Sequence, residues 1–139
     1  MRAEATFIVK SFVPTEITPE PAIATGMPVG VSLMEKEFTG DVAGRAATLF
    51  TAAFDQTTGV GTYVAMESFE GSVAGRAGSF NFAHAATTSG SDRQAEYLTI
   101  VPGSGTGELA GITGTGGLAV DEDGTHRIWL DYALADSTR

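Results

Sequence analysis

FTGDVAGRA at residues 38–46 and FEGSVAGRA at residues 69–77 are two copies of one phrase, F-x-G-x-V-A-G-R-A, and a shorter third copy, GELAG, stands at residues 107–111. Repetition of this kind marks a structural unit reused within a chain. Each copy lies between apolar segments rich in β-branched and aromatic residues, which predicts one tight turn used three times to join neighbouring antiparallel strands. Working outward from the repeats, strand candidates fall at 4–12, 29–39, 45–54, 62–70, 76–87, 93–101, 114–120 and 126–135. In the first, Glu4, Thr6, Ile8 and Lys10 alternate with Ala5, Phe7, Val9 and Ser11, the period of a strand with one apolar face. The connections at 55–61, at 88–92 around Ser89 and Gly90, and at 121–125 around Asp123 and Gly124 carry turn residues. None can hold a crossover helix, so parallel βαβ units are excluded. What remains is an all-β, single-domain fold over residues 1–139, a closed eight-stranded antiparallel up-and-down barrel whose closure removes exposed edges. Pro14, Pro19, Pro21 and Pro28 exclude a regular helix or central strand between 13 and 28, predicting a long loop that is either a flap over one end or a passive surface connection.

Turn chemistry also predicts register. With Ala74 and Gly75 as central turn residues, Phe69 faces Phe80, Glu67 faces Phe82, and His84 lies diagonal to Glu67 on the same face. The same rule pairs Phe38 with Leu49, and a turn at Ser89 and Gly90 pairs Phe82 with Tyr97. One sheet face then presents Lys36, Phe38, Tyr63, Glu67, Phe69, Phe80, Phe82, His84 and Tyr97, a largely aromatic surface with a few ionisable groups that suits a lined cavity.

At 139 residues and 42% hydrophobic content the chain can build a core without staples, and with no cysteine it has neither disulfides nor thiolate chemistry. A formal charge of -9, with eight unclustered Lys and Arg residues, disfavours nucleic acid and anionic membrane surfaces as partners. No stretch has the length of a membrane-spanning helix, and acidic and polar residues interrupt the N-terminal segment where a signal peptide would be apolar. A soluble cytoplasmic protein is expected.

The ordered set F-x-G-D-V-x-G, YVAMESFEG, GRAGSFNFAH, TIVPGSGTGELAGITG and the final WLDY resembles a family of small bacterial proteins of unknown function, whose fold resembles the allene oxide cyclase barrel. The resemblance runs from about Ala5 to Leu134 and implies an eight-stranded antiparallel barrel; it carries no established reaction. It draws attention to Lys36, Glu67 and His84 as recurrent polar positions. The chain departs from the pattern at Ser68, where a basic residue is usual, and at Ala85 and Ala86, where glycine is more usual after the histidine.

Glu67 and His84 form the leading catalytic pair, because a carboxylate and an imidazole in one apolar cavity can exchange protons. The structural alternative makes Glu67 a buried acceptor tying the wall to a neighbouring strand or to Lys36. Lys36, Tyr63, Phe69, Phe80, Phe82 and Tyr97 are the expected ligand-binding residues. GSGTG at 103–107 lacks both the Lys-Ser/Thr ending of a phosphate loop and a following helix, and reads as a glycine-rich bend. Asp121, Glu122 and Asp123 read as a hairpin turn, with His126 exposed beyond it, and two histidines without cysteine make a metal site improbable. No cofactor is expected. The function expected is binding of an apolar or partly polar small molecule in the barrel interior, in enzymatic form a cofactor-free isomerase or cyclase; the alternative is a non-catalytic binding or structural barrel with a packed interior. Apolar residues on both faces of one strand, Val64 and Met66 against Tyr63 and Phe69, predict a homodimer or homotrimer.

Overall fold

Ala3, Ala5 and Phe7 turn inward along Arg2–Pro14 (β1) while Arg2, Glu4 and Ile8 face outward, and the same two-residue alternation continues strand by strand. In the computed structural model, which describes residues 1–90 and 92–135, the remaining strands are Val29–Gly40 (β2), Val42–Asp55 (β3), Val60–Val73 (β4), Arg76–Ser89 (β5), Asp92–Ile100 (β6), Thr106–Gly107 (β7), Thr113–Val120 (β8) and His126–Ala133 (β9). They form one antiparallel nine-stranded sheet, in the order β4-β3-β2-β1-β9-β8-β6-β5-β7. A further β4–β5 pairing joins the sheet back on itself as a ring. Among the described residues there is no helix, and so none long and apolar enough to cross a membrane. The expected strands are all present. The short β7, which pairs Gly107 with Gly78 of β5, was not expected. The expected turn at 88–92 includes Ser91, and the one-domain reading reaches to 139; Ser91 and residues 136–139 lie outside the described residues.

The two ends of the ring differ. At one end the three repeat copies converge, and their central aliphatics Val42, Val73 and Leu109 are buried, as are Ile100, Ile112, Leu130 and Tyr132. A chain of aromatic contacts fills the interior above them: Phe7 with Phe38 at 5.3 Å between ring centroids, Phe38 with Phe69 at 5.7 Å, and Phe69 with Phe80 at 5.1 Å. Each such side chain contributes about 1.5–3 kcal/mol by leaving water. The opposite end carries the 56–59 and 121–125 turns, the end of β5 at Ser89 and the start of β6 at Asp92, and stays open.

The repeat is a shared plug and not a shared hairpin. In every copy the first and last glycines have positive φ (Gly40 129° and Gly44 145°, Gly71 153° and Gly75 83°, Gly107 60° and Gly111 79°) and the aliphatic between them is buried. Only the second copy makes the expected turn: Val73 pairs with Arg76, Phe69 with Phe80 and Glu67 with Phe82. In the first copy the chain already reverses at Gly40 and Asp41, because Asp41 is tied to β1 through its N–H on the Glu4 carbonyl (2.9 Å) and its carboxylate under the Glu4 N–H (3.1 Å). Gly44 therefore sits inside β3 against Gly71 of β4, an approach so close that a Cβ on Gly44 would lie 2.2 Å from the Glu70 carbonyl oxygen. Phe38 consequently faces Gly44, not Leu49, and Leu49 points to solvent. The third copy begins at Gly107, the last residue of β7, and folds under the closed end.

The register of β6 on β5 also departs from the one expected. Ser89 pairs with Asp92, which already sets the register two residues beyond the one expected from a turn at Ser89 and Gly90, and a β-bulge between Ala85 and Thr87, with Ala95 at φ 51°, adds one more, so that Phe82 faces Ile100 and Tyr97 faces Ala85 on the outer surface. Tyr97 is thus outside the ring. The loop after β1 is anchored by Thr15, whose N–H and hydroxyl both donate to the Val31 carbonyl (2.9 and 2.7 Å).

Candidate functional site

The open half of the ring encloses a cavity of about 610 Å³. Its walls come from β1 to β5 and from the mouth ends of β6, β8 and β9, with Phe7, Phe12, Phe50, Phe54 and Tyr63 as aromatic lining and Pro14 and Pro28 at the rim. Of the proline-rich segment, only its two ends, Pro14 and Pro28, line the cavity. Phe50 and Tyr63 stack at 4.9 Å with an interplanar angle of 16°.

Beneath the cavity lies a buried polar relay. Lys36 on β2 and His84 on β5 reach across from either side to the same oxygen of Glu67 on β4, which is fully buried. The Lys36 ammonium donates to Glu67 Oε2 at 2.5 Å, and His84 Nε2 donates to that oxygen. His84 Nδ1 then accepts from the Tyr63 hydroxyl at 2.8 Å, and Arg93 donates to the Tyr63 oxygen at 3.2 Å. With a carboxylate at Nε2 and a hydroxyl donor at Nδ1, the neutral Nε2–H tautomer satisfies both ends. Strand alternation creates this layer, since residues 63, 65, 67 and 69 of β4 and 80, 82 and 84 of β5 all turn inward in register.

Burial works against the Glu67 carboxylate, but the His84 hydrogen bond and the Lys36 charge outweigh it and hold the group below the usual carboxylate range. Burial lowers His84, and the Glu67 hydrogen bond only partly offsets this, so the imidazole is kept neutral. Burial raises the Tyr63 phenol against the lowering influence of Arg93, so it keeps its proton. Glu67 Oε1 has no hydrogen-bond partner, nor has the Thr48 hydroxyl, whose residue pairs with Glu67 across β3 and β4.

The expected site residues therefore divide into three groups. Lys36, Tyr63 and His84 line the cavity, with Glu67 directly behind them. Phe69, Phe80 and Phe82 face inward as expected but are sealed in the packed half and do not line the cavity. Tyr97, expected inside, is on the outer surface. The sequence reading missed the aromatic lining residues Phe12, Phe50 and Phe54, and also His126 and Arg93. His126, expected to be exposed, lines the cavity and stacks on Phe7 at 5.1 Å, and Arg93 lines the mouth. Sequence spacing offered no signal for Arg93 or His126, because both stand at strand starts where turn length decides the direction of the side chain. The glycine-rich bend at 103–107 lies at the closed end, with Ser104 bonded to Val101 and Asn81, and Asp121–Gly124 forms a turn closed by Gly124 N–H to the Asp121 carbonyl at 2.9 Å. Among the described residues no group of three or more His, Cys, Asp or Glu could hold a metal ion.

The model of a family of proteins of unknown function, DUF3224, matches residues 3–132. The chain belongs to the DUF3224 family. Among solved structures, a DUF3224 protein of unknown function from Shewanella oneidensis MR-1 is similar over 98% of each chain, with 28% sequence identity and a TM-score of 0.82. No curated protein matches. The DUF3224 membership agrees with the resemblance to a family of unknown function read from the sequence.

Proposed function

We propose that this DUF3224 protein is a small-molecule-binding barrel that takes an apolar ligand into the open half of its ring, with Tyr63 as the group that meets the ligand's polar atom. The observation that carries this reading is the division of one interior into a packed half and an aromatic-lined cavity, with the Lys36–Glu67–His84–Tyr63 relay at the boundary. Cavities of this size, mostly apolar with a few convergent polar groups, are the usual form of small-molecule sites. A scaffold alone gains nothing from leaving half its interior unfilled.

The relay also supports the cofactor-free isomerase or cyclase form of the proposal, with changed roles. Glu67 does not reach the cavity and serves to orient His84 and fix its tautomer. His84 Nδ1 can accept the Tyr63 proton, leaving Tyr63 as the acid or base at the ligand and Arg93 to stabilise charge on its oxygen. Native mass spectrometry and thermal shift of the purified protein against a metabolite extract test the proposal. A bound small molecule is expected, retained by Phe80→Leu and weakened at least tenfold by Tyr63→Phe. No adduct and no shift across the extract would return the chain to the scaffold reading.

We extend the proposal to assembly with a second copy. Val13, Leu33, Leu49 and Met66 are aligned in register across the outer face of β1 to β4, each roughly half exposed and with no charged residue between them. Such an apolar row is self-complementary about a two-fold axis.

A further inference from the structure

Seventeen acidic residues outnumber eight basic ones in this chain, yet among the described residues no Asp or Glu lines the cavity, while Lys36, Arg93 and both histidines do. Two ion pairs border the cavity, and both are oriented alike. Lys36 faces the interior with Glu67 behind it, and Arg93 faces the mouth while its Nε bonds Glu96, which is not part of the lining, at 2.5 Å. Each pair therefore presents its cation to a ligand and turns its carboxylate away. The Arg93 guanidinium commits Nε to Glu96 and one NH₂ hydrogen to Tyr63, so three of its five donors have no partner among the described residues. It also stands 5.8 Å from the centroid of the Tyr63 ring, which holds it beside the Phe50–Tyr63 stack.

Resting on the binding function proposed above, we infer that the ligand class is an aromatic monoanion, a carboxylate or sulfonate on a compact ring system. Its anionic group is held at the mouth by Arg93 and its rings lie against Phe50, Tyr63, Phe12 and Phe54. An anion there gains charge-assisted hydrogen bonds in a partly desolvated site, whereas a cation of the same shape would face the Arg93 and Lys36 charges with no carboxylate in the lining to offset them. Flat rings match the stacked wall and bind with little loss of internal freedom.

The test uses two fluorescent probes of one shape, 8-anilinonaphthalene-1-sulfonate and its neutral counterpart N-phenyl-1-naphthylamine, titrated into the full chain. The sulfonate is expected to bind about tenfold tighter or better, Arg93→Gln to abolish that preference while leaving the neutral probe unchanged, and 1-naphthoate to displace the sulfonate. Ala52→Trp, which fills the cavity, is expected to remove both probes. Equal affinity of the two probes, both lost in Ala52→Trp, would overturn the anion inference and leave the binding cavity standing. Binding of neither probe, or binding that survives Ala52→Trp, would overturn the cavity reading as well, the latter assigning the probes to the outer apolar face.

Discussion

Glu67 concentrates the energetics of the site in one carboxylate. It is fully buried and balances a buried ammonium, so Glu67→Gln leaves Lys36 uncompensated. A loss of about 3–5 kcal/mol in denaturant unfolding is expected, largely restored in the double variant Lys36→Met/Glu67→Leu, because removing both charges also removes their desolvation cost. A loss below ~1 kcal/mol in the single variant would show that the pair is not sealed from water. The relay also predicts a pH profile. His84 is held below its unfolded value of ~6.5, so folding is favoured fully above that pH and its contribution is lost as pH falls through the folded value. Glu67 is likewise depressed, and its contribution is lost at still lower pH, below the ordinary carboxylate value of ~4.3. Thermal stability is therefore expected to begin falling near pH ~6.5 and to fall further in the carboxylate range. In His84→Gln the upper phase should vanish, and its persistence would contradict the assignment. That Glu67 and His84 meet was legible from the turn at Ala74 and Gly75. Their roles were not, since whether a carboxylate lines a cavity or stands behind it depends on which neighbours fill the space, here Lys36 arriving from two strands away.

Among the elements, the hairpins separate what local sequence determines from what tertiary contacts decide. β4 and β5 follow turn chemistry residue by residue. The same phrase in β2 and β3 yields a different reversal, because the Asp41 backbone and side chain are drawn to Glu4 and Gly44 is drawn into the strand crossing with Gly71. The repeated glycines thus serve a turn at one site and a close strand approach at another. Replacement by alanine distinguishes the two uses. A Cβ at Gly71 would lie 2.0 Å from the Ala43 carbonyl oxygen, whereas a Cβ at Gly75 would meet nothing within 4 Å. Gly71→Ala is expected to lower the melting temperature much more than Gly75→Ala, whose cost is confined to the strain of positive φ, of order 1 kcal/mol. Equal losses would mean that strand approach at the plug is not tight. The bulge in β6 has the same lesson: it moved Tyr97 outward without altering the hydrophobic alternation from which an inward position was inferred.

For the whole molecule, the decisive property is the asymmetry between a plugged end and an open one. Composition and alternation predict a closed antiparallel fold with an apolar interior, but not how far that interior is filled, which depends on where the segment from 101 to 112 folds. It folds under the closed end, burying Leu109 and Ile112 and leaving the other half to the cavity. Stability and binding should therefore separate: Phe80→Ala is expected to cost about 3–5 kcal/mol with ligand affinity retained in the folded fraction, and Phe50→Ala to weaken ligand binding with little loss of stability. On the outer surface, the Leu33–Leu49–Met66 row predicts a concentration-dependent dimer in sedimentation velocity that Met66→Lys dissociates; a monomer at all concentrations would remove the assembly proposal. The most direct measurement of the central claim is a heteronuclear NMR titration of the labelled protein with N-phenyl-1-naphthylamine. Amide shifts confined to mouth residues such as Ala52, Gly61, Thr62, Ala86 and Ala119, with Val73, Leu109 and Leu130 unmoved, are the predicted result, whereas shifts centred on Leu49 and Val64, or no shifts at all, would contradict a ligand-binding cavity.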